Sequence, residues 1–187
     1  MNTSYCNLTC CPAKGDADKL EVTLSFSRNE LLYDIKNYAF VEGHVMKGEE
    51  GNEHAQHLLV DIGEEGNVDR VNRVLETVHA AVTELLYPYT KCELEDGFVA
   101  TNKLYTEHDY IIDMIVPKTF SSTTVMLLVR LIHEYMVYSV LSDWLSVTNA
   151  KAAGNWRDKA LEAEKEIKSV KNMRREPIVR PMSHFYV

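Results

Sequence analysis

Thr123-Thr124-Val125-Met126-Leu127-Leu128-Val129-Arg130-Leu131-Ile132-His133-Glu134-Tyr135-Met136-Val137-Tyr138-Ser139-Val140-Leu141-Ser142-Asp143-Trp144-Leu145-Ser146-Val147 decides how this chain folds. It follows a Ser121-Ser122 start and is apolar nearly all round, interrupted by Arg130, His133, Glu134 and Asp143. Those four groups argue against a membrane span. A helix without a polar face must be covered on every side, so the stretch is predicted as the central helix of a bundle. With 187 residues, 45% of them hydrophobic, the chain can bury one ordinary core. Part of the cover is therefore expected from neighbouring subunits. Arg130 and Glu134, four apart, suit a helical ion pair, and with Trp144 and Trp156 they form the expected intersubunit set.

Downstream, Asn149 is placed to cap a final helix reaching about Arg174, roughly 36 Å long at the usual rise per residue. Trp156, Ala160, Ala163, Ile167 and Val170 step by four and three, a narrow seam on a charged rod. Arg174-Arg175-Glu176-Pro177-Ile178-Val179-Arg180-Pro181-Met182-Ser183-His184-Phe185-Tyr186-Val187 cannot continue that helix. Pro177 and Pro181 remove backbone donors and push Glu176 and Arg180 toward extended conformations. Exposed aliphatic and aromatic groups beside unpaired arginines are costly to leave in water. The segment reads as an arm that docks on another molecule, through Arg174, Arg175, Ile178, Arg180, Phe185 and Tyr186. The alternative is a tail lying back over its own domain.

Upstream, residues 1–18 read as an irregular leader. Lys19 to Phe26 alternates, with Leu20, Val22, Leu24 and Phe26 on one side, as a half-buried strand does. Ser27-Arg28-Asn29-Glu30 is a capping box that starts a helix ending at the Lys47–Asn52 loop. A shorter helix is expected over Glu53–Ile62, and Gly63-Glu64-Glu65-Gly66-Asn67 is expected to break the chain. Val68, Val71, Val74, Leu75, Val78, Val82, Leu85 and Leu86 then mark one face of an amphipathic helix stopped by Pro88. Between residues 91 and 117 the period changes. Glu95-Asp96-Gly97 is a hairpin-type turn and Asp109 to Val116 is β-branched and apolar, so a small sheet is expected there.

The fold class that follows is mainly α: a helical bundle with a small antiparallel β insertion, a long C-terminal helix and an extended arm. Its divisions are the leader at 1–18, a helical domain at 19–173 with the insertion at about 91–117, and the docking arm at 174–187.

The formal charge of −8 is unevenly spread. Residues 42–69 carry Glu42, Glu49, Glu50, Glu53, Asp61, Glu64, Glu65 and Asp69 against Lys47, whereas Lys168, Lys171, Arg174, Arg175 and Arg180 face only Glu176. An acidic body with a basic arm suits self-assembly or an acidic partner, and argues against a nucleic-acid grip by the body. Cys6, Cys10, Cys11 and Cys92 give no disulfide framework, and Met1 to Cys11 lacks the pattern of a signal peptide. A reducing compartment is expected.

Catalytic motifs are scarce. His54 and His57, three apart beside Glu53, could hold a metal with help from His44 or Asp61, but a metalloprotease needs its histidines four apart with a glutamate after the first. Incidental histidines on a surface helix are the plainer explanation. His133 has no nucleophile motif near it. The cysteine cluster lacks the paired spacing of zinc modules. The chain carries no phosphate-cradling glycine loop and no dinucleotide fingerprint. Lys118 to Thr124 is a weak anion-binding candidate at a helix start. No catalysis, cofactor or metal is expected.

The order of leader, strand, helices, β insertion, apolar helix, rod and basic Pro-Arg arm resembles the head–tail connector (adaptor) proteins of tailed bacteriophages, most nearly the ring proteins of crAss-like phages. The residues carrying it are Arg130-Leu131-Ile132-His133-Glu134-Tyr135, Asp143-Trp144-Leu145, Trp156, and Asn172 through Tyr186. The resemblance implies a structural virion protein at the head–tail junction, made in the host cytoplasm. Its copies would form a homo-oligomer, a twelve-membered ring under the portal that extends the DNA channel, with the arm locking onto the portal protein or a neighbouring tail or ring protein. DNA would slide past an acidic interior, to which Glu49, Glu50, Glu64 or Glu65 could contribute, without sequence-specific binding. The β insertion and the cysteine-rich leader depart from the pattern. A metal-dependent hydrolase built on His54 and His57, or a soluble protein-binding module, is the alternative.

Overall fold

Period-2 alternation and period-3.6 stripes account for most of what the computed structural model shows. It describes residues 18–46, 61–91, 97, 99, 102–103 and 108–173. Strand β1 (Lys19–Ser27) pairs antiparallel with β2 (Asp109–Pro117), with Leu24 opposite Ile112 and Phe26 opposite Tyr110. These four side chains and Met114 and Val116 are buried on one face. The other face is wetter: Thr23 Oγ1 donates to Asp113 Oδ1 at 2.7 Å. The small sheet expected from the second half of the 91–117 stretch is present. Among the described residues β2 pairs with the leading strand β1, and most of the segment around the Glu95-Asp96-Gly97 turn lies outside them. Of that turn only Gly97 is described, at φ +84°, a left-handed conformation that glycine adopts without steric cost.

Helix α1 (Arg28–Met46) starts directly after β1, where Arg28 N–H donates to His108 O at 3.0 Å. It buries Leu31, Ile35 and Ala39. The expected Glu53–Ile62 helix lies outside the described residues except for its last two, which belong to a single 3-10 turn, Asp61–Gly63, with Ile62 buried. Helix α2 (Glu65–Leu85) begins inside the predicted breaker rather than after it. Glu64 takes the extended N-cap conformation, and Asn67 Nδ2 donates to Asp61 O at 2.9 Å. Gly66, with open space where a Cβ would sit, falls in the first turn, where a glycine costs little. Val71, Leu75, Val78 and Val82 face the core as their spacing requires.

Helix α3 (Ser122–Thr148) and helix α4 (Ala150–Val170) form an antiparallel hairpin through Asn149, whose side chain accepts from Ala152 N–H. The α4 seam of Trp156, Ala160, Ala163, Ile167 and Val170 is buried throughout. It ends at Val170, four residues short of the expected Arg174. Lys171 Nζ there donates to the carbonyls of Leu85 and Tyr87, at the C-terminal end of α2, where helix carbonyls are short of partners. The chain is thus mainly helical with a small two-stranded antiparallel sheet. By length and composition α3 is apolar enough to cross a membrane; here it is the core helix, burying Leu128, Ile132, Met136, Val140 and Leu145 against the rest of the bundle.

Candidate interaction site

Two helices carry apolar side chains on both faces. On α3 the helical period puts Thr123, Met126, Leu127, Arg130 and Glu134 on one side, and all five are exposed. Met126 is 64% and Leu127 43% exposed, although each belongs to the most apolar stretch of the chain. On α1 the buried face has an opposite number: Tyr33, Asn37, Phe40 and His44 point outward, with exposed Val41 beside them. The Phe40 and His44 rings lie 4.3 Å apart. Scattered exposed apolar residues are ordinary; stripes of them on successive helical turns mark contact surfaces.

Between the helices, polar contacts fix the packing. His133 Nε2 on α3 lies 2.8 Å from Asp34 Oδ2 on α1. Trp156 Nε1 donates to Glu42 Oε1 at 3.0 Å, and its ring packs against Tyr38 and Tyr138 at 5.1 and 5.5 Å. Lys159 Nζ sits 4.0 Å from the indole centroid. Burial pushes the Tyr138 phenol above its ordinary pKa, and Glu134 and Tyr38 add to the effect. Tyr135 is raised chiefly by burial and then by Glu164, against the opposing pull of a Ser139 hydrogen bond and Lys168.

A shallow cleft of about 200 Å³ opens where the start of α2 meets the end of α3, lined by Asn67, Arg70, Trp144, Val147 and Thr148. Arg70 donates through Nη2 to Asp143 Oδ2 at 2.9 Å, and its guanidinium lies 5.6 Å from the Trp144 ring centroid. Trp144 Nε1 and Thr148 Oγ1 are buried with no hydrogen-bond partner among the described residues. Two such groups one turn apart are unusual, because buried polar atoms are nearly always paired.

The predicted site residues sort as follows. Arg130 and Glu134 are exposed on a face that points away from the core, and the helical ion pair that their spacing suits is not formed. Trp144 and Trp156 are enclosed by the chain's own residues, 8% and 4% exposed, which leaves little ring surface for a neighbour. The docking residues Arg174, Arg175, Ile178, Arg180, Phe185 and Tyr186 lie outside the described residues, as do His54, His57, Glu49, Glu50 and all four cysteines. Glu64 is exposed, and Glu65 opens α2. His44 is exposed, with Nδ1 3.2 Å from Phe40 O. Among the described residues no group of three or more His, Cys, Asp or Glu is placed to hold a metal ion. Sequence reasoning missed Arg70, Val147 and Thr148. The only signal for them was the four-residue step from Trp144 to Thr148. Comparison with protein-family models, with curated proteins and with solved structures gives no match for this chain.

Proposed function

We propose that this chain is a structural assembly protein, a ring-forming connector of the kind that joins portal and tail in a tailed bacteriophage, with no catalytic role. One observation carries the reading. The core helix α3 turns Met126 and Leu127 to solvent beside Arg130 and Glu134, so a face that composition says should be covered is left open among the described residues. A neighbouring copy laid against that face would cover the two apolar groups and give each charge a partner. The net charge of −8 supports a channel through which DNA passes without sticking. His54 and His57, on which the metal-dependent hydrolase would be built, lie outside the described residues.

The test is the mass of the full chain in solution, across a dilution series, alone and with a portal ring. The expected result is a closed oligomer in at least one of the two settings, with copies arranged about an axis when imaged. A chain that stays monomeric at every concentration and ignores the portal ring refutes the reading and leaves a lone binding module.

A further inference from the structure

We propose that β1 pairs antiparallel with β1 of a second copy of this chain, Thr23 against Thr23 about a two-fold axis, to make one sheet of four strands. The contact goes beyond the ring reading and does not use the α3 face. It starts from an asymmetry between the two edges of the sheet. The far edge of β2 is covered, where Ile115 N–H donates to Tyr89 O at 2.8 Å and His79 Nε2 lies 3.0 Å from Ile111 O. These contacts also fix the phase of the ladder. Ile111 and Ile115 turn their backbone groups away from β1, so Ser25 and Glu21 opposite them, and Thr23 between, turn theirs away from β2. All three are exposed, and among the described residues no backbone group outside the sheet pairs with them.

Open edges are normally blunted by proline, a bulge or an inward-pointing charge. Strand β1 has neither proline nor glycine, and its register with β2 runs unbroken over its 9 residues. Its inner face carries only Leu20, Val22, Leu24 and Phe26, and its charges, Lys19 and Glu21, sit at one end. A sheet of two strands is also marginal without further support.

A gradient along the inner face favours β1 as its own partner. Leu20 is 47% exposed and Val22 half-buried, whereas Leu24 and Phe26 are each 2% exposed. An antiparallel copy sets the bare end of one strand against the covered end of the other. Leu20 then lies beside Phe26 of the second copy, and Val22 beside its Leu24. A parallel copy would leave the two bare ends together. On the wet face Thr23 meets Thr23, a favourable cross-strand pair, and Glu21 meets Ser25, whose hydroxyl donates to the carboxylate. Centring the pair on Glu21 instead would set two carboxylates opposite each other, which costs stability. The axis runs perpendicular to the sheet, so the helices of both copies stay on one side of it. Main-chain bonds along the edge supply affinity, and the inner-face pairs supply burial. An isologous contact closes after two copies, so it can join two rings but cannot build one.

The experiment follows amide hydrogen exchange of the full-length chain, residue by residue, across a dilution series, beside its mass by sedimentation. The Glu21, Thr23 and Ser25 amides should exchange freely when dilute and slow by about tenfold or more when concentrated. Those of Val22 and Leu24, which face β2, should be slow throughout. Thr23→Pro removes the central edge N–H without breaking a bond to β2, and should abolish the concentration dependence. Thr23→Lys and Thr23→Glu each place like charges across the axis; mixed in equal amounts they should associate about tenfold more tightly than either alone. Burial of the α3 face protects no β1 amide, so Met126→Gln/Leu127→Gln chains should keep the exchange pattern. Edge amides that exchange freely at every concentration overturn the inference. So do edge amides that are slow even in the dilute monomer, which would mean that the chain covers its own edge, and a charge-swapped mixture no tighter than its parts. None of these results touches the α3 reading, which stands or falls on its own variants.

Discussion

Replacing Met126 and Leu127 together by glutamine should dissolve the assembly while leaving the folded monomer untouched. Both positions are on the outer face of α3, and glutamine has nearly the helix propensity of leucine and methionine, so the monomer should change by no more than ~0.5 kcal/mol. Fully burying such a side chain is worth ~1.5–3 kcal/mol. With 64% and 43% of the two residues still exposed, the share left for a partner is ~1–2 and ~0.6–1.3 kcal/mol respectively. Their sum, ~1.6–3.2 kcal/mol, is a factor of roughly 15–200 in the association constant. Sedimentation velocity over a dilution series reads that shift directly. Leu161→Gln supplies the control: this leucine is 45% exposed but sits on α4, away from the α3 face, so the same loss of apolar surface should leave the series where it was. An unchanged midpoint for the double variant, or an equal shift for Leu161→Gln, refutes the argument that this particular face is the contact.

Three further outcomes follow from the packing. Asn149→Ala removes the side-chain acceptor of Ala152 N–H between α3 and α4, and should cost ~1 kcal/mol in urea unfolding, the usual value of such a cap. Trp156→Phe deletes the Nε1 bond to Glu42, a hydrogen bond to a charged acceptor, and should lower stability by about 1.5–3 kcal/mol, with Glu42→Gln recovering part of that loss relative to Glu42→Ala. Tyr135 and Tyr138 are both raised above the phenol value of 10.0, first by burial. Above that value the unfolded chain releases these protons before the folded one does. Their contribution is therefore whole below about pH 10 and is lost as pH rises through the folded values. The Tyr135→Phe/Tyr138→Phe variant should show a flatter fall in urea midpoint on the alkaline side, and an unaltered slope would contradict the burial of these phenols.

What the sequence made legible was local periodicity. The alternation of Leu24 and Phe26, the α2 stripe and the α4 seam each name their own buried side, because one face is apolar and the other is not. The partner of β2 was hidden. Asp113 bonds Thr23 across 90 residues, and no turn between them records the pairing. The phase of α3 was hidden for the opposite reason: Leu127 is exposed and Leu128 fully buried, yet an apolar run on all sides carries no signal to separate them. Only the surrounding helices decide which leucine is covered. The Trp144 cleft was illegible in the same way, since an unpartnered N–H is a property of neighbours rather than of a tryptophan.

The α3 face also sets a bound on what joins two copies. Association of two folded copies costs an estimated 4–15 kcal/mol in lost translational and rotational freedom and in ordering, before any attraction is counted. The ~1.6–3.2 kcal/mol available from Met126 and Leu127 does not meet that alone. An assembly built on this face must therefore bury more surface than these two side chains supply, and the double glutamine variant removes only their share of it.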